Sequence, residues 1–200
     1  MTKNEQLLKK LSIIVFIIYM LLLFWVIMFK CNLVQSFTDT YLYFKDFTIW
    51  ERINFHLIPF KDYIEGPFIS QIDTIIEDDI LNTLLFIPFG MYLTYFIKRK
   101  RFIKTILISF FLSCFFEVFQ LFSLIGSFST KDIITNTIGG IFGYFVCRLI
   151  IKKNNSITKI KILNIISIIV IIAFMPIIIY AVLNTLKHLH LYIDILKRTY

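Results

Sequence analysis

Charge is scarce in this chain: 17% of its 200 residues are Asp, Glu, Lys or Arg, and 58% are hydrophobic. With a mean hydropathy of +0.79, that scarcity excludes an ordinary soluble domain, which carries about 25% charged residues. Glycine and proline are also sparse, at 6 and 4 against 23 Phe, which excludes collagen-like, low-complexity and disordered chains. Three cysteines, Cys31, Cys114 and Cys147, are too few for a disulfide framework, and the last two fall inside apolar runs, where they read as packing residues. No spaced His/Glu set suggests a metal, no serine or cysteine has a recognisable base partner, and no cofactor motif is present. The formal charge of +8 does not imply nucleic acid, because the basic residues follow a topological pattern.

Five apolar runs each reach about the 20 residues of helix that a bilayer core requires: Leu11 to Phe29, Ile80 to Ile97, Thr105 to Gly126, Ile133 to Ile151 and Ile162 to Leu186. The expected fold is all-α, a polytopic membrane helix bundle. Lys3, Lys9 and Lys10 precede the first run, Lys98, Arg99, Lys100, Arg101 and Lys104 join the second to the third, and Arg148, Lys152, Lys153, Lys159 and Lys161 end the fourth and form a basic loop before the fifth. By the positive-inside rule the N-terminus is cytoplasmic and residues 30–79 are extracytoplasmic. The first run has no small-residue cleavage site near Met28 to Lys30 and reads as an uncleaved anchor.

Residues 30–79 hold 9 of the 13 acidic residues together with Tyr41, Trp50, Phe55, Phe60 and Tyr63. Such a segment reads either as an aromatic cap lying along the outer interface or as a solvated acidic loop. Ile69, Ile72, Ile76 and Ile80 recur at helical spacing and predict a short amphipathic helix leading into the second span.

Polar residues inside lipid carry the functional information. Glu117 lies within the third run, where a charge costs roughly 2.5 to 3.5 kcal/mol on insertion scales. Ser113 and Gln120 share its helical face. Asp132 and Asn136 open the fourth run, and Asn82 opens the second. With alternating spans these residues converge on the extracytoplasmic half, as a ligand site or as interhelical hydrogen-bonding glue. Asp132 has a local alternative as the N-cap of its helix. Gly139, Gly140 and Gly143 include a G-x-x-x-G spacing that permits close helix approach, and Pro88 predicts a kink in the second span.

Several blocks, taken together, resemble the VanZ-like family of bacterial membrane proteins: INFHLIPF at 53–60, NTLLFIPFG at 82–90, SCFFEVFQ at 113–120 and DIITNTIGGIFG at 132–143. The resemblance covers about residues 11–151, which places 1–151 in one membrane domain and leaves 152–200, with the basic loop, the fifth span and a short tail, outside it. It implies signature positions at Asn82, Pro88, Gly90, Glu117, Gln120, Asp132, Asn136 and Gly140, with Pro59 and Phe60 in the outer segment. Many members carry a second acidic residue where this chain has Ser129, and a basic one where it has Gly126, which argues against a carboxylate-pair enzyme here. The implied role is in resistance to teicoplanin, a glycopeptide that differs from vancomycin by its lipid tail. The implied partners are a membrane lipid, the lipoglycopeptide itself or a lipid-linked envelope precursor. An enzyme on a lipid-linked intermediate and a proton-coupled transporter are the alternatives.

Overall fold

The computed structural model describes residues 3–29, 55–61, 79–97, 99–123 and 127–199. The amphipathic helix expected over 69–80 falls almost wholly outside them, as does Cys31. Among the described residues five helices follow in order: α1 Lys3–Phe29, α2 Leu81–Phe96, α3 Arg101–Ser123, α4 Thr130–Lys153 and α5 Ser156–Thr199. Two short strands, β1 Phe55–His56 and β2 Phe128–Ser129, pair in parallel, Phe55 opposite Phe128 and His56 opposite Ser129.

Four segments are long and apolar enough to cross a membrane: Glu5–Met28, Arg101–Ser123, Thr130–Lys152 and Ile157–Tyr180. The helix α2 has 16 residues, about 24 Å at 1.5 Å per residue and short of a hydrocarbon core of about 30 Å. It compensates by position. Leu85, Phe86, Pro88, Phe89, Gly90, Met91, Tyr92 and Thr94 are all buried, and its packing against α4 is the most extensive in the molecule.

The helix α3 is sorted in the opposite sense from a helix of a soluble protein. On α3 the buried residues are Thr105, Ser109, Ser113, Phe116, Glu117 and Gln120, while Phe111, Phe115 and Phe122 are exposed. Lipid supplies the reason: apolar side chains gain nothing by leaving it, whereas polar groups must find partners inside the bundle. The apolar core is built by Tyr19, Leu22, Leu23 and Met28 of α1 against Leu85, Phe86 and Phe89 of α2, with Phe116 and Phe174 closing it.

Close helix approach at the predicted glycines is observed. A Cβ on Gly90 would collide with the Gly140 backbone, one on Gly139 with Thr83 O, and one on Gly143 with Ile87 O. Gly140 also receives Ser109 of α3, whose Cβ would stand 2.7 Å from an added methyl. The α2 and α4 backbones therefore meet along one seam, with the Ser109 side chain of α3 packed against it. Pro88 lies within α2, which remains helical across it. The Tyr19 hydroxyl donates to Leu85 O, in the turn preceding that proline.

The C-terminal region departs from the sequence reading. Only Asn154 and Asn155 separate α4 from α5, so Lys159 and Lys161 sit in the first turns of α5 and no basic loop forms. Each asparagine serves one helix end: Asn154 Nδ2 donates to Ile150 O at 3.1 Å, and Asn155 Oδ1 accepts from Thr158 N at 2.9 Å. Two local caps suffice to reverse the chain. The helix continues to Thr199, past the end of its apolar segment at Tyr180. Asn164 of α5 accepts from the Tyr92 hydroxyl at 3.1 Å, tying this helix into the bundle by a buried hydrogen bond.

Candidate functional site

The C-terminal ends of α1 and α3 meet the N-terminal ends of α2 and α4 at one end of the bundle. The basic turn between α2 and α3 lies at the other. Gln120 Nε2 donates to Ile27 O at 2.8 Å, satisfying one of the last carbonyls of α1, which lack a partner within their own helix. Thr83 Oγ1 donates to Thr135 O at 3.2 Å, joining the start of α2 to that of α4. Asn82, half-buried next to Thr83, is at this end but makes no side-chain hydrogen bond to any of the cluster.

Glu117 is 1% exposed, and its Oε2 accepts from the backbone N–H of Ser129 at 2.7 Å. One turn earlier on α3, Ser113 Oγ accepts from Asn136 Nδ2 at 2.8 Å and faces Asp132 O at 3.5 Å. The structure thus brings Glu117, Ser113, Asp132 and Asn136 together, with Gln120 on the same α3 face directed to α1. Asn136 is 1% exposed, and its Oδ1 has no hydrogen-bond partner among the described residues.

The cap of α4 differs from the expectation for Asp132. Ser129 is the N-cap, and its Oγ accepts from Asp132 N at 3.3 Å. Asp132 therefore stands at the third helical position, inside the first turn. In a capping box the residue at that position reaches back to the N-cap N–H. Here Glu117, from another helix, takes that N–H instead, and its charge lies at the positive end of the α4 dipole.

Above this cap the β1–β2 pairing lays residues 55–61 across the start of α4. A cavity of about 480 Å³ opens between them, lined by Phe55, His56, Leu57, Ile58 and Phe60 from the strap together with Lys61. Its other wall is Ser127, Ser129, Lys131 and Asp132. Phe55 and Phe128 pack at 5.9 Å between ring centres where the two walls join. Phe60, following Pro59 in the turn, has φ 62°. For a bulky non-glycine residue that conformation costs roughly 1 to 3 kcal/mol, a strain that clusters at functional sites.

The basic lining residues His56, Lys61 and Lys131 were all absent from the sequence-derived set. His56 and Lys61 come near α4 only through the long-range strand pairing. Lys131 is 8% exposed and contacts Asp79 Oδ1 at 3.2 Å through its Nζ. One signal was available for each side: His56 lies inside the INFHLIPF block, and Ser129 to Asp132 has S-x-x-D spacing. Among the described residues no three His, Cys, Asp or Glu side chains form a group able to hold a metal, and Cys114 and Cys147 are unbridged.

Comparison with known proteins bears on all of these positions. Protein VanZ of Enterococcus faecium is 30% identical over 128 residues, covering 63% of this chain and 66% of that protein. No solved structure matches the chain. The VanZ/LLP1 family model matches residues 16–152, a range that contains the seam, the α4 cap and the whole lining of the cavity. On that match, the chain belongs to the VanZ/LLP1 family.

Proposed function

We propose that this chain is a multi-pass protein of the bacterial cytoplasmic membrane that lowers susceptibility to glycopeptides of the teicoplanin type. It does so by engaging an envelope lipid, or the lipid-tailed drug, at the outer leaflet. The N-terminus lies in the cytoplasm and residues 30–79 lie outside. The basic residues Arg99, Lys100, Arg101 and Lys104 support this orientation, because they stand at the bundle end opposite the cavity.

The observation that carries the reading is the cavity itself: a partly apolar strap over a helix N-terminus, with the buried carboxylate of Glu117 fixed beneath it. Interhelical glue alone needs no ionisable group, and an intramembrane carboxylate is by default a functional position. A second reading, an enzyme acting on a lipid-linked envelope intermediate, is favoured by His56 and Asp132 lining one cavity, where either can exchange protons.

Teicoplanin and vancomycin susceptibility, measured side by side in a sensitive Gram-positive host expressing the chain, tests the first reading. Selective protection against teicoplanin is expected, together with its loss in Glu117→Gln, Asp132→Ala and Asn136→Ala at matched membrane levels. Full protection by all three variants would overturn the assignment of this site. Product formed from a lipid-linked precursor by purified protein, and abolished by His56→Ala, would replace it with the enzyme.

A further inference from the structure

The cavity walls differ in chemical character. Phe55, Leu57 and Ile58 are 53%, 62% and 66% exposed, a row of apolar side chains that meets acyl chains when the strap lies at the membrane interface. His56 and Lys61 interrupt that row on the same strap, and Lys131 stands on the opposite wall. Lys131 is out of place by local rules. It occupies the first turn of α4, where the helix dipole disfavours a cation, and it is buried there. Asp79 offsets that charge at 3.2 Å and holds the ammonium beside the cavity, where a cation raises the local attraction for an anionic group. Asp132 and Ser127 complete the polar wall. They suit a ligand that bears hydroxyl groups as well as negative charge, since carboxyl and hydroxyl oxygens both accept hydrogen bonds.

We propose that the cavity binds the headgroup of an anionic lipid whose phosphate carries a hydroxyl-bearing substituent, such as phosphoglycerol or a phosphosugar. The phosphate lies against Lys61, His56 and Lys131, the hydroxyls reach Asp132, and the chains run along Leu57 and Ile58. Size agrees: about 480 Å³ is within the roughly 300–1,000 Å³ of small-molecule pockets, sufficient for a headgroup and too small for a whole glycopeptide. The assignment rests on the outward orientation proposed above and deepens it by naming the ligand chemistry.

Native mass spectrometry of the purified full chain in mixed micelles of phosphatidylglycerol and phosphatidylcholine tests this directly. The wild type is expected to retain phosphatidylglycerol preferentially. The double variant Lys61→Glu with His56→Ala, both exposed positions, should lose about tenfold of that preference. Lys104→Glu, at the basic end, should lose none. Competition by glycerol phosphate but not by inorganic phosphate supports headgroup recognition, whereas equal competition by both overturns the lipid assignment in favour of free phosphate. Equal retention of the two lipids, or a double variant indistinguishable from wild type, overturns the proposal. Protection in the susceptibility assay without selective lipid retention would sink this inference and leave the proposed function standing. Lipid retention without protection would do the reverse.

Discussion

Glu117 is a structural element that the proposed function also makes a functional one. Taking a carboxylate out of water is costly unless donors replace the lost hydration, and here the donor is a backbone N–H at a helix start, where the dipole adds its attraction. Glu117→Ala would leave the Ser129 N–H without that acceptor, a loss of about 1–3 kcal/mol for a buried group. Glu117→Gln keeps an acceptor oxygen and should unfold closer to wild type. Thermal unfolding in detergent measures both. The charge hypothesis adds that the two variants lose protection alike despite their different stabilities. A Gln variant with wild-type protection would reduce Glu117 to a cap. The cluster around it was legible because i, i+4 spacing on α3 and α4 is a local property of the sequence. His56 and Lys131 were not, since a two-residue strand pairing between positions 55–56 and 128–129 leaves no periodic trace.

At the scale of elements, the seam between α2 and α4 determines how the site is held. The glycine spacing announced close approach but could not name the partners, because a missing side chain is compatible with any neighbour. The structure separates the positions. At Gly140 the obstacle is the Ser109 side chain, whereas at Gly143 it is the Ile87 carbonyl, a backbone atom that cannot rotate away. Gly143→Ala should therefore cost more than Gly140→Ala, within the roughly 1–3 kcal/mol typical of overpacking. Ser109→Gly should rescue Gly140→Ala and not Gly143→Ala. Unfolding temperatures of the two single and two double variants check this, and equal rescue of both would mean that the helices simply move apart. The fifth helix shows the limit of family resemblance. Its apolar run was legible, but its polar anchor was not, because Tyr92 and Asn164 are 72 positions apart and become partners only in the folded bundle.

For the whole molecule, one organisation accounts for the composition and the site together. Apolar residues cover the outside of the spans, the polar residues of α3 and α4 face inward beside an apolar core, and the two ends differ in charge. Basic residues crowd the end at 98–104, while the cavity, the α4 cap and the strap occupy the other. This sidedness rests on the positive-inside pattern, and the functional reading depends on it, because a lipid-tailed drug or an outer-leaflet headgroup reaches the cavity only from outside. The direct measurement is accessibility in intact cells. Leu57→Cys and Lys100→Cys are introduced singly into a chain whose Cys31, Cys114 and Cys147 have been replaced by alanine, then treated with a membrane-impermeant maleimide. Labelling of position 57 in intact cells, and of position 100 only after permeabilisation, is the predicted result. The reverse pattern would put the cavity in the cytoplasm and contradict the account.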